Sequence, residues 1–441
     1  MTTLDTRTAY YEQAIAELFN RRPELMVPGL RRIQALVHSM GNPQRAYASI
    51  HLTGTNGKTS TARMITSLLM AAGQRVGTYT SPHLQDVRER FRVNGEPIGI
   101  DDLLAGLDAL GPHIERVEQA TGEMVTFFEA STALCLWAFA RARIDTGVVE
   151  VGMGGRFDAT NVIDARVAVL GHVQLDHPQL GATVSEVAWE KAGIIGDGAT
   201  VISANTVGEP ADVIAREVAE RGATLHLLDR DFGVIGRTLT PRGQRVWLRG
   251  IDGRDHGIDL PLHGAHQAVN AACALAAVQA YRGAAQLDAT TVRAGFAAVR
   301  SPGRLELLFT ATGIPVLLDG AHNPAAMRVL ARALHELHGD RRRIAVLGVM
   351  ADKDLAAMVE LLAPVVDEVI VTVPDSPRAA AAGQVAAACN DAGMTVTAQV
   401  PDVGPAVRTA ADRAGRHGMV VVTGSLYTVG DARATLGGEL V

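Results

Sequence analysis

The segment GTNGKT, residues 54–59, places glycines, a lysine and a hydroxyl between a predicted strand and a predicted helix. Glycines let backbone amides turn toward an anion, and the amino end of the helix adds positive potential. Lys58 would reach the terminal phosphates of a nucleotide, and the hydroxyl of Thr59 or Ser60 would face magnesium. Leu52 stands where the standard phosphate-binding loop has its first glycine, which leaves the shorter pattern GxxGKT. A purely structural glycine turn is the alternative.

Lysine is scarce in this chain. Of its 41 basic residues only three are lysines, namely Lys58, Lys191 and Lys353. Arginine stays protonated in almost any site, whereas the compact lysine amine loses its proton more readily on burial and can act as a nucleophile. Each lysine is therefore a candidate for a chemical role. The alternatives are a surface pair with Glu190 for Lys191 and a surface turn for Lys353.

Acidic and imidazole side chains follow two further predicted strands. Glu150 ends an apolar strand before GMGGRFDATN, at the position where ligands bind in open α/β sheets. A buried carboxylate needs a partner, which either magnesium on nucleotide phosphates or a salt bridge to Arg156 would supply. Asp176 and His177 close a later strand. For His177 a metal-binding role and an ordinary polar role are both open.

Strands that alternate with helices must position these residues. Such alternation predicts a parallel sheet with helices on both faces. Between about 225 and 262, short stretches broken by glycine predict antiparallel hairpins. After a linker at Pro302 and Gly303, five strands and four helices alternate as in a Rossmann-like open sheet, without the GxGxxG fingerprint of dinucleotide binding. The predicted domains are residues 1–299 and 300–441.

Bulk composition narrows the class of protein. At 441 residues the chain is too long for one ordinary core, and 47% hydrophobic with 20% charged residues is typical of a soluble globular protein. A net charge of -6 gives no electrostatic reason to expect nucleic acid or an acidic membrane as partner. The three cysteines lack CxxC spacing, which argues against a disulfide framework or zinc site. With no signal peptide and no apolar run of about 18 residues, we expect a cytoplasmic protein. Because nothing in the sequence indicates a partner surface, we expect a monomer.

Ten motifs, in order, resemble the series found in folylpolyglutamate synthases and dihydrofolate synthases of the Mur ligase superfamily. They are GTNGKTSTA, TSPHL, TFFEASTALCLWAF, VEVGMGGRFDATN, LDH, EKAGI, HQAVNA, SPGRLE, LLDGAHNP and TGSLY. The resemblance extends from about residue 29 to residue 429. It implies an α/β fold in which a P-loop ATPase domain with a parallel central sheet and a smaller C-terminal Rossmann-like domain close over a cleft.

The resemblance also implies a reaction. A bifunctional ligase of this family uses ATP to join the amine of L-glutamate to a carboxylate of dihydropteroate, and then of tetrahydrofolate polyglutamates. The carboxylate attacks the γ-phosphate, and the glutamate nitrogen displaces phosphate from the acyl phosphate. The alternatives are a folylpolyglutamate synthase without the first activity and a related amino-acid ligase with another acceptor. A nucleotide-driven switch belongs to a different class, and it gives no reason for the set Glu150, His177 and Lys191.

Residue roles follow from the same resemblance. The ATP-binding residues would be Thr55, Asn56, Gly57, Lys58, Thr59, Ser60, Asn270, Arg304 and Asp319. Mg²⁺ would be held by Ser81, Glu150, His177 and Lys191, the lysine as a carbamate formed with carbon dioxide. Folate would contact Gly29, Leu30, Thr126, Phe127, Phe128, Glu129, Phe157 and Asp158, although a core role suits Phe127 and Phe128 equally. Lys58, Lys191 and His322 are the predicted catalytic residues, and Lys353, Ser425 and Tyr427 are further candidates near the substrates.

Overall fold

The structure of the chain is a computed structural model. It describes residues 3–21, 29–175, 178–283, 287–337, 339 and 341–438. The described residues form an eight-stranded sheet, a three-stranded sheet and a six-stranded sheet. We call the part with the first two sheets the N-terminal lobe and the part with the third the C-terminal lobe.

Strands and helices follow one another in the order expected for an α/β protein. The strands are β1 (Ala48–Thr53), β2 (Val76–Tyr79), β3 (Phe91–Val93), β4 (Glu96–Pro97), β5 (Thr146–Glu150), β6 (Ala165–Leu170), β7 (Thr200–Ser203), β8 (Thr224–Leu227), β9 (Gly233–Thr240), β10 (Gly243–Arg249), β11 (Asp255–Leu260), β12 (Glu306–Phe309), β13 (Pro315–Leu318), β14 (Arg343–Leu347), β15 (Glu368–Val371), β16 (Val396–Gln399) and β17 (Met419–Thr423). The α-helices are α1 (Thr3–Phe19), α2 (Arg31–Ser39), α3 (Lys58–Ala71), α4 (Ile100–Thr121), α5 (Phe127–Ala142), α6 (Val184–Ala192), α7 (Glu209–Glu220), α8 (Ala265–Arg282), α9 (Ala289–Ala297), α10 (Pro324–Leu337), α11 (Leu355–Leu362), α12 (Ala382–Asp391), α13 (Val403–Ala414) and α14 (Leu426–Thr435). No helix in these ranges is long and apolar enough to span a bilayer.

The eight-stranded sheet has the order β4-β3-β2-β5-β1-β6-β7-β8. It is parallel except at β3 and β4, and β1 lies between β5 and β6. One apolar core joins this sheet to α3 and α8 on one face, and another joins it to α4 and α5 on the other. The predicted parallel sheet with helices on both faces is therefore confirmed. Since parallel strands end at one edge, the segments after β1 and β5 meet there.

The antiparallel addition begins later in the chain than the glycine pattern predicts. Strand β8 pairs in parallel with β7 and extends the large sheet. Only β9, β10 and β11 form the predicted hairpins. The sequence does not separate β8 from the hairpins, because a four-residue edge strand carries too few residues to show a period of its own.

The six-stranded sheet has the order β12-β13-β17-β14-β15-β16 and is parallel apart from the β12–β13 pair. The five strands and four helices predicted after the linker are present as β13–β17 and α10–α13. The structure adds β12 and α14. Strand β12 lies at the edge of the sheet and is only partly buried, whereas its neighbour β13 is fully buried.

Candidate active site

A cavity of about 350 Å³ lies between the two lobes. It opens at the carboxyl ends of β1 and β5, and the segment after β13 faces it from the C-terminal lobe. The predicted site residues among its lining are Thr55, Asn56, Gly57, Lys58, Thr59, Ser60, Ser81, Glu150, Asn270, Arg304, Asp319 and His322. The fold thus brings together residues that are up to 267 positions apart in sequence, from Thr55 to His322.

The loop between β1 and α3 has the form that a phosphate-binding loop requires. Gly57 has a φ of 82°, a conformation that residues with a side chain rarely adopt. A Cβ at Gly57 would also lie 2.7 Å from Asn270 Oδ1, so only glycine fits beside α8. Lys58 Nζ donates hydrogen bonds to the carbonyls of Gly54 at 2.9 Å and Thr55 at 3.3 Å. The lysine charge is therefore held over its own loop at the start of α3.

The two hydroxyls after Lys58 point in different directions. Thr59 Oγ1 donates to Glu150 Oε1 at 3.0 Å and to Oε2 at 2.9 Å. Ser60 is 2% exposed, and its Oγ lies 3.0 Å from Ser301 Oγ in the linker. Successive helical residues are rotated by about 100°, so only one of the two can face the carboxylate. Thr59 is the hydroxyl beside Glu150.

Glu150 is the last residue of β5 and is 1% exposed. Besides the Thr59 hydroxyl, its carboxylate accepts a 3.4 Å hydrogen bond from the Ser81 backbone N–H. The predicted alternative partner, Arg156, instead forms an ion pair with Glu217 at 2.6 Å. Burial raises the pKa of Glu150 to about 7, although the Lys58 charge and the Thr59 hydrogen bond lower it. The positive charge near Glu150 therefore does not fully offset the cost of burying its ionised carboxylate.

Glu150 makes the stability of the ligand-free protein depend on pH. Its pKa rises from 4.5 in the unfolded chain to about 7 in the fold, so the folded state holds more protons between these values. Stability from this group is greatest below pH 4.5 and falls as pH rises through 7, by about 3 kcal/mol. We expect the free energy of unfolding of wild type, measured relative to Glu150→Gln by urea titration, to decline over this range. A difference that stays constant with pH would contradict the assignment.

Lys191 is buried near the phosphate loop. It lies in the last turn of α6, is 2% exposed and donates from Nζ to the Gly54 carbonyl at 3.2 Å. The alternative of a surface lysine is therefore wrong. The glycine-rich segment after β5 fixes this end of α6, because the Arg156 N–H donates to the Glu190 carbonyl at 2.8 Å. A Cβ at Gly155 would lie 2.9 Å from the Lys191 carbonyl, so the close packing depends on glycine.

The C-terminal lobe contributes Arg304, Asp319 and His322. Asp319 accepts hydrogen bonds from the backbone N–H groups of Leu305 at 2.9 Å and Ala321 at 3.0 Å. Burial raises the pKa of Asp319 to about 6, against the lowering effect of Arg304. His322 Nδ1 lies 2.8 Å from the Gly320 carbonyl, which makes Nδ1 the protonated ring nitrogen of the neutral imidazole.

The residues present suit a hard divalent cation. Glu150 and Thr59 place oxygen atoms together at the cavity wall, and oxygen is the ligand that Mg²⁺ prefers. Ser81 lines the same cavity and contacts the Glu150 carboxylate through its backbone N–H. Across the described ranges, no group of three or more His, Cys, Asp or Glu side chains is arranged to hold a metal. The predicted ligand His177 lies outside the described residues.

Several predicted folate residues have structural contacts of their own. Thr126 and Glu129 form a capping box at the start of α5, and Glu129 also pairs with Arg32 at 3.0 Å. Phe127 is 8% exposed and stacks on Phe19 with 4.8 Å between ring centroids, which agrees with the core alternative.

Phe128 lies close to the carboxyl end of β5. A Cβ at Gly152, which lines the cavity, would lie 2.3 Å from Phe128 Cζ. Among the other predicted folate residues, Phe157 is 43% exposed and its ring lies 6.2 Å from that of Trp189. Of the predicted aromatic residues, Phe128 packs against the cavity wall at Gly152, and Phe157 is exposed to solvent.

Asp158 is buried and accepts hydrogen bonds from the N–H of Met153 at 3.0 Å and the hydroxyl of Thr160 at 2.5 Å. It therefore orders the glycine-rich segment. Gly29 and Leu30 precede α2, and Gly29 has a φ of 154°. None of Asp158, Gly29 and Leu30 is among the described residues that line the cavity.

Three further candidates are not among the described residues that line the cavity, although Leu426, between Ser425 and Tyr427, is one of them. Lys353 forms an ion pair with Asp352 at 3.0 Å, as expected for a surface turn. Ser425 accepts a hydrogen bond from the Thr428 N–H at 3.0 Å and caps α14. Tyr427 follows it in the first turn of that helix and is 36% exposed.

The cavity also contains residues that sequence analysis did not select. Those with polar or charged side chains are His172, Gln174, His266, Gln267, Arg328 and Arg332. Two of them could be predicted from the sequence, because His266 and Gln267 belong to the HQAVNA motif. Arg328 and Arg332 are four residues apart on α10 and so share one helix face. Which face points into the cleft depends on how the lobes pack, which the helix sequence alone does not specify.

Comparison with known proteins places this architecture in a family. Residues 52–278 match the Mur ligase middle domain, and residues 303–426 match the Mur ligase glutamate ligase domain. A dihydrofolate synthase/folylpolyglutamate synthase of Mycobacterium tuberculosis is 42% identical over 95% of this chain and 92% of its own length. The Bacillus subtilis protein of the same name is 32% identical over 97% of this chain and 99% of its own.

Solved structures agree with these sequence matches. Mycobacterium tuberculosis folylpolyglutamate synthase complexed with ADP and AMPPCP superposes with a TM-score of 0.92 at 40% identity, covering 99% of this chain and 100% of that one. Escherichia coli FolC in complex with DHPP and ADP gives a TM-score of 0.84 at 31% identity, with 97% of each chain covered. The chain therefore belongs to the folylpolyglutamate synthase/dihydrofolate synthase family of the Mur ligase superfamily.

Proposed function

We propose that this protein is a bifunctional dihydrofolate synthase and folylpolyglutamate synthase. It would use ATP to join L-glutamate to dihydropteroate and then to tetrahydrofolate polyglutamates, releasing ADP and phosphate. The observation that carries the proposal is that the phosphate loop and Glu150 of the N-terminal lobe and Arg304 of the C-terminal lobe line the same cavity. The ADP, AMPPCP and DHPP bound by the related proteins support it.

The two lobes have separate tasks in this proposal, with their boundary at residues 299 and 300. The loop amides and Lys58 hold the phosphates, Asn270 contacts the nucleotide from α8, and Asp319 and Arg304 contact it from the other lobe. Arg304 brings its charge toward the γ-phosphate as the lobes close, which stabilises charge in the transition state. The acceptor carboxylate attacks that phosphorus, and the glutamate nitrogen then displaces phosphate from the acyl phosphate.

Magnesium fits the oxygen atoms of Thr59 and Glu150, and it would offset negative charge on the phosphates. The hydroxyl of Ser81, which also lines the cavity, would be a further ligand. We propose that His177 and a carbamate on Lys191 complete this binding. A carbamate adds an anionic oxygen pair to the lysine while keeping one N–H, which can still donate to the Gly54 carbonyl. Arginine does not form this group under the same conditions, which explains why a chain poor in lysine has one here.

The folate substrate would occupy the N-terminal lobe near Phe128 and Phe157, where flat heterocycles can stack on aromatic rings. Asp158 would act by ordering the loop that carries Phe157. Thr126, Glu129 and Phe127 would shape the start of α5 beside this position, and Gly29 and Leu30 would close it from the segment before α2. His322 would contact glutamate or the ribose from the C-terminal lobe.

The test is release of ADP by purified protein supplied with dihydropteroate, dihydrofolate or tetrahydrofolate, each with and without glutamate. We expect release that requires glutamate, with a product heavier by one glutamate residue in mass spectrometry for dihydropteroate and tetrahydrofolate. Activity with tetrahydrofolate alone would reduce the function to folylpolyglutamate synthase. Release that does not require glutamate would contradict a ligase and favour a nucleotide-driven switch.

A further inference from the structure

A buried chain of hydrogen bonds leads from the phosphate loop to the linker between the lobes. Asn270 Nδ2 donates to Gln267 Oε1 at 3.1 Å, and Gln267 Nε2 donates to Ser60 Oγ at 3.2 Å. Ser60 Oγ in turn lies 3.0 Å from Ser301 Oγ. Exposed fractions of 1% for Gln267, 2% for Ser60 and 5% for Ser301 show that water does not compete for the two bonds made by Ser60. Asn270 is partly buried and lines the cavity. We call these four residues the hinge chain.

The first end of the hinge chain touches the nucleotide-binding loop. Asn270 Oδ1 would lie 2.7 Å from a Cβ at Gly57, so the Asn270 amide packs directly on the loop glycine. Gln267 Oε1 accepts a hydrogen bond from Asn270 Nδ2, and this bond orients Asn270 Oδ1 toward the loop. Because Ser60 is the third residue of α3, any shift of the loop is carried to its hydroxyl by the helix.

The other end holds the linker on the N-terminal lobe. Ser301 is joined to α3 through Ser60, and Arg63 Nη1 of the same helix donates to the Arg300 carbonyl at 3.3 Å. Three residues after Ser301 comes Arg304, whose own N–H donates to the Ser301 carbonyl at 3.3 Å. The position of Arg304 in the cavity therefore depends on where Ser301 is held.

The C-terminal lobe also forms hydrogen bonds to the linker. The Gly320 N–H donates to the Gly303 carbonyl at 2.9 Å, and Asp319 accepts from the Leu305 N–H. Leu305 has a φ of 51°, a left-handed conformation that is costly for a leucine and persists because these contacts fix it. Arg304 thus lies between one anchor on each lobe.

We propose that Gln267 and Ser301 are positioning residues. Gln267 holds Asn270 on the phosphate loop, Ser301 holds Arg304 in the cavity, and the hinge chain links the two positions. This coupling rests on the proposed function, because it requires that nucleotide binds at the phosphate loop. It adds that nucleotide binding depends on the position of the linker. Neither side chain has to touch the nucleotide. Loss of Ser301 Oγ would allow Arg304 to leave its position, and nucleotide affinity would fall although every residue of the loop is intact.

The test is a double-mutant cycle on the affinity for AMPPCP with Mg²⁺, measured by calorimetry. Removal of one buried hydrogen bond in Ser301→Ala should weaken binding about three- to tenfold. In the Arg304→Ala background the same change should have almost no effect, because Ser301 acts through Arg304. Ser60→Ala removes the hydroxyl that contacts both Ser301 and Gln267, so it should weaken binding at least as much as Ser301→Ala. Ser301→Thr, which keeps the hydroxyl, should restore affinity.

The matched control is Ser67→Ala. Ser67 Oγ also extends from α3, but it donates to the Gly295 carbonyl inside the N-terminal lobe at 2.6 Å. This variant should bind AMPPCP as wild type does. Unchanged affinity in Ser301→Ala, or equal losses with and without Arg304, would overturn the inference. Wild-type protein that binds AMPPCP without ligating folate would overturn the proposed function alone, and wild-type protein that fails to bind AMPPCP would overturn both.

Discussion

Replacement of Lys191 by arginine or alanine should lower the turnover number by about a hundredfold or more, the usual cost of removing a preorganised electrostatic group. Arginine keeps a positive charge and a hydrogen-bond donor near the Gly54 carbonyl, but it cannot carry a carbamate. Alanine also removes the carbamate and leaves space beside the loop. The measurement is the steady-state rate of glutamate-dependent ADP release at saturating nucleotide, together with circular dichroism to confirm that both variants fold.

Small carboxylic acids provide a second measurement of the same prediction. Acetate or propionate should restore part of the rate to Lys191→Ala, because the acid stands in for the missing carbamate. The arginine variant has no space for the acid and should not respond. Lys353→Arg is the matched control, since Lys353 pairs with Asp352 away from the cavity lining and arginine can keep that ion pair. A Lys191→Arg enzyme with the wild-type rate would refute the carbamate.

Glu150→Gln should lower turnover by about a hundredfold and raise the magnesium concentration needed for half-maximal rate. The change preserves the size of the side chain and its contact with the Thr59 hydroxyl, but it removes the negative charge. Mg²⁺ would then lose an anionic ligand while the phosphates remain. The measurement is a magnesium titration of ADP release at fixed ATP, and an unchanged titration curve would contradict direct binding of magnesium by Glu150.

The control for this variant is Glu368→Gln. Glu368 is also a largely buried glutamate, with 12% of its side chain exposed, and it forms an ion pair with Arg413 at 2.7 Å. It begins strand β15, so it lies at the opposite end of its sheet from the cleft. Loss of its charge should lower the stability of the C-terminal lobe and leave the magnesium requirement unchanged.

The sequence predicts the main features of the site because they depend on local pattern. Glu150 follows an apolar strand and GTNGKT separates a strand from a helix, so both must lie at the carboxyl edge of a parallel sheet. TFFE at residues 126–129 also carries a local signal. Its Thr-x-x-Glu spacing is that of a capping box, which the structure contains, so Thr126 and Glu129 have a structural role besides the predicted contact with folate.

Other features depend on packing between distant segments and have no local signal. The ion pair between Arg156 and Glu217 joins residues 61 positions apart, and it removes Arg156 as a partner for Glu150. The choice between Thr59 and Ser60 depends on the rotation of α3 about its axis, which is fixed by its contacts with α8 and the linker. The edge strand β12 has no distinct sequence signal, because its four residues are too few to show a hydrophobic period.

A crystal structure of the protein with AMPPCP and Mg²⁺ tests the central claim most directly. That claim is that the terminal phosphates and the metal ion bind where the large parallel sheet ends, facing the C-terminal lobe. We predict phosphate oxygens within hydrogen-bond distance of the Gly57 and Lys58 amides, Mg²⁺ bound to Glu150, and the Arg304 guanidinium directed at the γ-phosphate. Nucleotide bound elsewhere, or a Glu150 carboxylate turned away from the metal ion, would contradict the account.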